Sequence, residues 1–340
     1  MNYHFYKTNC LKTSRVLMQS RWDKEFSFIH ISSEKNNSNN LEFGWITLLK
    51  VIFRIKNADV VIFHAQSALP YLAIAFLLKK VFNLQGRYVY DIHDLHEHSP
   101  EVNGSIKSFL RFYLFLTLEY FLLNVDQIKK ITVSSGLART MGARYSCKEP
   151  VVVRNISLSP TKPKIRARET QSDAIVFFGI RERVPIDAIP ILESEGYHLH
   201  LYGRGIDHDW LSQEIASYDK KNIHCFGEYS PNDLSFLEKY RIALIYAPKD
   251  DSLNFKYSLP NKLFQSLAAG LTVLVSENFE EMISLFSDVP HAVVPVNLLN
   301  LAETIASVKS KGIVDGYLIQ RKIEGIYFES RRNYLNVVGG

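Results

Sequence analysis

Tyr257–Ser276, YSLPNKLFQSLAAGLTVLVS, is the stretch from which the rest of the chain can be read. Pro260 stands where a first helical turn starts, a position at which its missing N–H costs no hydrogen bond. Leu263, Leu267 and Ala268 then recur at helical spacing until Gly270 ends the run. Thr272–Ser276 follows as a buried strand. A loop that ends in such a helix turns unpaired backbone N–H groups and the positive end of the helix dipole outward, and Lys262 adds a full charge in the first turn. That combination suits a phosphate group; an ordinary amphipathic helix between two strands of an α/β domain has the same pattern.

Away from this stretch, β-like and helical runs alternate in both directions, the mark of a parallel sheet. Toward the amino terminus the spacing predicts strands over Ala174–Gly179, His198–Gly203, Ile223–Phe226 and Ile242–Tyr246, with helices over Pro185–Glu195 and Pro231–Tyr240. A long helix is predicted over Gly312–Val338. An earlier set of strands falls at Tyr3–Lys7, Phe26–Ile31, Asp59–His64, Arg87–Ile92 and Ile131–Ser134, with a polar loop at Ser32–Asn40 and helices over Ala68–Lys80 and Ser108–Val125. Between the sets, SPTKPKIRARETQSD is Pro-rich, charged and without periodicity, and reads as a linker. The expected organisation is two Rossmann-like domains, 1–155 and 173–320, joined by a linker at 156–172, with a helix at 321–340 returning to the first domain.

The 340 residues are ample for two such domains, and 46% apolar with 22% charged residues describes a water-soluble globular chain. The first twenty residues lack a basic region followed by an apolar core, and Cys10, Cys147 and Cys225 are odd in number and far apart. The expectation is a cytoplasmic protein without disulfides or a zinc cluster. Residues 1–150 hold 19 Lys and Arg against 12 Asp and Glu, and the remainder 21 against 23. A basic first half fits solvated surface or an anionic partner; its charges are scattered among apolar helices, which fits a membrane surface and not nucleic acid. In Ser108–Val125, Arg111 and Glu119 interrupt the apolar run, and Asn124 and Asp126 close it. It reads as a helix packed on the sheet, or as one that touches a membrane surface with Lys107 and Arg111, and not as a span.

The string LPNKLFQSLAAGLTVLVS resembles the donor-site signature of sugar-nucleotide glycosyltransferases of the two-domain GT-B architecture, in particular the retaining family 4 enzymes of bacterial polysaccharide assembly. The order and spacing of elements match that architecture over nearly the whole chain. The resemblance implies an α/β fold with two parallel sheets facing across a cleft. It also implies transfer of a sugar from a nucleotide diphosphate sugar, UDP-sugar favoured, to a polysaccharide or lipid-linked acceptor at the inner face of the cell membrane. No cofactor or metal is implied. Two family carboxylates fall on Gln265 and Tyr257, so neither acid is present; Gln265 still accepts and donates hydrogen bonds.

The resemblance also supplies site residues. YDIHDLHEHSPE, Tyr90–Glu101, follows a strand, and strand ends of open α/β sheets are where ligands bind. His93 matches the family histidine beside the donor sugar, helped by Asp94 or Asp91, and His64 ends a neighbouring strand where it contacts sugar or acceptor. The cluster His93, Asp94, His96 and His98 also reads as a metal site or a His-rich surface loop. Arg181 and Arg183 take the diphosphate with Lys262. Gly203 and Gly227 allow close turns, Tyr229 stacks on the base, and Leu259, Pro260, Asn261 and Gln265 complete the nucleotide site. Asp251, Asn254 and Tyr257 reach the sugar hydroxyls. Asp207-His208-Asp209 reads as a helix N-cap and not as a metal-binding pair. Three other readings stay open. One is a subunit of this architecture without turnover. Another is a sugar-nucleotide 2-epimerase acting on the donor alone. The third is a two-domain binding protein or dinucleotide enzyme, for which no G-x-G-x-x-G opens either domain.

Overall fold

Short runs of β-branched and aromatic residues, apolar on both sides, form the strands, as strands covered on both faces require. The computed structural model describes residues 28–31, 58–95, 106–156, 172–215, 221–230, 233–247, 252–311 and 314–339. They belong to two compact units, one of residues 1–157 with 328–340 and one of residues 158–327. The strand expected at Tyr3–Lys7, the Ser32–Asn40 loop, His96, His98, Asp251 and nearly all of the linker lie outside the described residues.

In the first unit, strands β1 (Phe28–Ile31), β2 (Val60–His64), β3 (Arg87–Ile92), β4 (Ile128–Thr132) and β5 (Val151–Val152) lie parallel in sequence order. Helices α1 (Leu69–Phe82), α2 (Ile106–Leu123) and α3 (Ser135–Tyr145) make the crossovers. Each crossover moves one strand in the same direction, so right-handed connections put α1 and α2 side by side, and they pack on one another. All three helices therefore end where strands begin. Ser134 Oγ accepts from the Leu137 N–H at 3.3 Å to start α3. Glu119 of α2 is buried and accepts from Tyr90 Oη at 2.9 Å and Tyr145 Oη at 2.6 Å, joining β3, α2 and α3. Burial holds its carboxyl above the ordinary range, against the two hydroxyls that lower it.

The final helix, α10 (Gly316–Gly339), contributes its last turns to this unit. Arg154 Nη1 meets Glu329 at 2.9 Å, Ser330 Oγ accepts from the Arg154 N–H at 3.2 Å, and Asn333 Nδ2 donates to the Val152 carbonyl at 2.9 Å.

The second unit has six parallel strands in the order β11-β10-β9-β6-β7-β8. They are β6 (Ser172–Phe178), β7 (Leu199–Tyr202), β8 (Ile223–Gly227), β9 (Tyr240–Ile245), β10 (Thr272–Ser276) and β11 (Val293–Val296). Helices α4 (Ile189–Ser194), α5 (His208–Glu214), α6 (Leu253–Lys256), α7 (Asn261–Ala268), α8 (Glu280–Leu285) and α9 (Leu301–Lys311) join or follow them. The chain builds outward from β6 to β8, then returns to place β9 on the other side of β6. Crossovers on the two sides of that reversal leave opposite faces of the sheet, which opens a crevice at the carboxyl ends of β6 and β9.

Three expectations are corrected. The helix read over Pro231–Tyr240 is a 3₁₀ turn at Ser235–Lys239, because Tyr240 buries its ring as the first residue of β9. Pro185–Glu195 divides into a 3₁₀ turn at Ile186–Ala188 and α4. Pro260 is the extended residue before α7 (φ −69°, ψ 146°) and not its first helical residue. Asp207 does cap α5, its carboxylate accepting from the Trp210 N–H at 2.8 Å.

Glu119→Ala leaves two buried phenols without their acceptor and is expected to cost about 3 kcal/mol, read as a lowered urea midpoint. An unchanged midpoint would show that the three-residue link carries no stability.

Candidate functional site

A cavity of about 430 Å³ opens in the second unit at the reversal between β6 and β9. Gly179, just past β6, Tyr246 and Ala247, just past β9, and Pro260 and Lys262 at the start of α7 line it, with Ile180, Arg183, Arg204, Glu228, Tyr229, Phe255 and Ser258 around them. Phe177 and Phe279 supply apolar wall.

Two glycines make this geometry. A Cβ on Gly179 would lie 1.9 Å from Lys262 Nζ, so the ammonium passes where a side chain would otherwise stand. A Cβ on Gly203 would lie 2.0 Å from the Gly179 carbonyl oxygen, so the turn after β7 must be bare for the two strand ends to approach. Backbone bonds complete the step: the Gly179 N–H donates to the Tyr202 carbonyl at 2.9 Å and the Gly203 N–H to the Gly227 carbonyl at 2.7 Å.

Lys262 Nζ lies 5.1 Å from the Phe177 ring centre. Burial first, then the nearby Arg183 guanidinium, pull its pKa down to about 8. Arg183 stacks on the Phe255 ring at 4.4 Å, which holds a flexible, exposed side chain at the cavity. Arg204 donates from Nε and Nη2 to Glu228 at 3.2 and 3.1 Å, an exposed pair on the rim. Two cations and the N–H groups of a helix start thus converge on one space, an arrangement that suits an oxyanion pair such as a diphosphate.

Other expected donor-site residues stand differently. Arg181 rests 5.8 Å from the Trp210 ring centre and does not line the cavity. Gly203, Gly227, Leu259, Asn261 and Gln265 do not line it either; Leu259 is buried and Gln265 half-buried on α7. Asn254 and Tyr257 are half-buried on and after α6, and Lys256 lies 5.8 Å from the Tyr257 ring centre. Arg204, Glu228, Ser258 and the aromatic wall carry no motif beyond glycine-flanked turns, and only the fold collects them.

In the first unit, parallel register sets His64 of β2 directly beside Asp91 of β3. His64 Nδ1 is 2.9 Å and His93 Nε2 3.2 Å from the same oxygen, Asp91 Oδ2, and the two rings meet edge to face. Asp91 is fully buried, His64 nearly so, and His93 is partly exposed. Ala65, next after His64, has φ 60° and ψ 174°, a conformation costly for a side-chain-bearing residue and held by its N–H donating to the Asp91 carbonyl at 2.9 Å. Asp94 is exposed, and its carbonyl accepts from Gln66 Nε2. The carboxylate at His93 is therefore Asp91 and not Asp94, because only Asp91 points from the strand into the sheet's own register. His64, expected against sugar or acceptor, is buried against Asp91. The nearest donor atoms of His64, Asp91 and His93 lie within 4.8 Å of one another, close enough to hold a metal ion.

No family model and no curated protein matches the chain. Solved structures do. The HepE protein of Anabaena in complex with UDP superposes with a TM-score of 0.62 at 12% identity over 98% of this chain and 96% of that one. AviGT4, a glycosyltransferase involved in avilamycin A biosynthesis, gives 0.56 at 12% over 96% and 87%. TarM gives 0.55 at 14% over 87% of this chain, which spans 57% of TarM's length. The fold is that of GT-B glycosyltransferases. Within this GT-B chain the cavity occupies the reversal point of the second unit's sheet.

Gly179→Ala and Gly203→Ala separate these roles. The first displaces only the tip of a flexible lysine and is expected to weaken nucleoside diphosphate binding about 10- to 100-fold with little change in Tm. The second meets backbone and is expected to cost at least about 2 kcal/mol of stability. Equal loss of stability in both would refute the threading of Lys262 past Gly179.

Proposed function

We propose that the chain is a glycosyltransferase that takes a sugar from a UDP-sugar. The observation that carries this is the convergence of Lys262, Arg183 and the start of α7 on one cavity at the sheet's reversal point. The UDP and UDP-glucose complexes of the structurally similar HepE support uridine as the base. In the proposed reaction the bond between the anomeric carbon and the β-phosphate oxygen breaks, a bond to the acceptor hydroxyl oxygen forms, and the acceptor proton passes to the departing diphosphate. Lys262 and Arg183 offset the charge on that leaving group without a metal. His93, held by Asp91 and so indirectly by His64, positions the sugar and stabilises charge at the anomeric carbon. The resemblance to family 4 further assigns retention of configuration, a polysaccharide or lipid-linked oligosaccharide acceptor, and work as a peripheral protein at the inner face of the membrane.

A second reading is a GT-B subunit that holds nucleotide without turnover, favoured by Gln265 and Tyr257 where family carboxylates stand. Transfer, or slow hydrolysis of the donor, by the purified chain excludes it. For the enzyme itself, His93→Ala is expected to abolish transfer and keep UDP binding, and chelation by EDTA to leave transfer unchanged. Undiminished turnover in His93→Ala removes His93 from the mechanism; loss of activity with EDTA, restored by a divalent ion, turns His64, Asp91 and His93 into a metal site.

Lys262 is charged below pH about 8 and loses its proton above it. A bound diphosphate favours the charged form, so binding above that pH takes up a proton. Affinity for UDP is therefore expected to fall, by up to about tenfold per pH unit, as pH rises past about 8. Titration calorimetry on wild type and Lys262→Met checks this: the variant loses the slope, and an equal slope in both would assign it elsewhere.

A further inference from the structure

Two imidazoles and a carboxylate turned toward one another at a strand end make a ligand set for a cation. His64 Nδ1 stands 2.9 Å and His93 Nε2 3.2 Å from Asp91 Oδ2, and the three donor atoms all lie within 4.8 Å of one another. Around a tetrahedral ion with bonds of about 2.0–2.1 Å, neighbouring ligand atoms stand roughly 3.3 Å apart. Both nitrogen–oxygen separations already come close to that value. The larger adjustment is to draw the two rings together, which meet edge to face with centres 6.2 Å apart. His93, partly exposed just past β3, is the ring with room to move.

Backbone fixes the frame around these ligands. Register pairs His64 with Asp91, the Ala65 N–H donates to the Asp91 carbonyl at 2.9 Å, and Thr132 Oγ1 of β4 donates to the Ile92 carbonyl at 2.9 Å. Gln66 Nε2 donates to the Asp94 carbonyl at 3.2 Å, just beyond His93. Ligands tied down before an ion arrives lose little freedom on binding it. Asp91 and His64 are buried and the His93 side chain is 27% exposed, so an ion enters past His93. The ligand types select which ion. Magnesium and calcium take oxygen ligands, whereas two imidazoles and one carboxylate suit zinc or cobalt and leave a position open.

We propose that His64, Asp91 and His93 bind one divalent transition-metal ion, zinc fitting best, and that the bound ion withholds His93 from the donor sugar. Each imidazole binds through an unprotonated nitrogen, so the ion takes the lone pair of His93 Nε2 and occupies Asp91 Oδ2. These are the groups that position the sugar, and the ion therefore inhibits transfer. That consequence rests on the role given to His93 in the glycosyltransferase reading; the binding itself does not. The nucleotide cavity lies in the other unit and shares none of these ligands.

The test uses the full chain freed of metal with EDTA and then desalted. Titration with cobalt(II) is expected to raise the visible absorption of a cobalt site with nitrogen ligands, saturating at one ion per chain, and zinc to bleach it by displacement. Excess magnesium is expected to leave the bands intact. His64→Ala and His93→Ala are each expected to weaken zinc binding by about a hundredfold or more. Retained UDP binding shows that a variant is folded, and His93→Ala, at the more exposed position, carries the test if the His64 variant does not fold. His198→Gln/His224→Gln removes two stacked histidines of the second unit and is expected to bind zinc as wild type does. Zinc is expected to abolish transfer while UDP still binds, and EDTA to restore it, the opposite sign from a catalytic metal. The proposal is overturned if cobalt gives no bands, if saturating zinc leaves transfer unchanged, or if His93→Ala binds zinc as tightly as wild type, which would mean an adventitious ion only. Metal binding is read without turnover, so a chain that binds zinc at these residues but transfers no sugar upholds the site and fails the donor-site reading alone.

Discussion

A lysine ammonium drawn inside a protein is costly unless something compensates it, and among the described residues Lys262 has an aromatic face and a neighbouring cation. Among the described residues no carboxylate pairs with it. The surrounding structure is arranged to keep it there: Gly179 gives it passage, Gly203 lets the β7 turn close beneath, and Pro260 opens the helix that carries it. Such a group is destabilising in the empty protein and favourable once an anion arrives. The cavity is thus set up electrostatically for an anion before any ligand enters.

The first unit offers a different device. Its reactive candidate, His93, sits just past a strand end, where side chains leave the sheet, and its ring meets a carboxylate two residues earlier, on the strand itself. The parallel pairing of β2 and β3 then delivers a second imidazole to the same oxygen. Two imidazoles, His64 and His93, thus share one buried carboxylate oxygen of Asp91.

Much of this was legible in the residues. The alternation of apolar runs marked several strands closely, Thr272–Ser276 to the residue, but put Ile131–Ser134 three residues late on β4 and missed β11; Pro260, Lys262 and Gly270 marked the helix that feeds the cavity. Periodicity failed where a buried ring decided the matter: Tyr240 belongs to β9, and the segment before it has room only for a 3₁₀ turn. Side-chain direction was also beyond the sequence. Arg181 and Arg183 are two residues apart, yet one leans on Trp210 and the other on Phe255, and only the second faces the cavity. Asp91 and Asp94 flank the same histidine, and choosing between them takes the pleat of β3. Arg204 and Glu228 come from separate turns and meet only when β7 and β8 are paired.

The central claim is that the cavity is built for a diphosphate. Thermal unfolding of the intact chain with uridine, UMP and UDP at equal concentration tests it most directly, since a ligand that binds only the folded state raises Tm in proportion to its binding free energy. The account predicts little shift with uridine, more with UMP and the largest with UDP, with the UDP increment gone in Lys262→Met. Equal shifts for all three, or none for UDP, would contradict it.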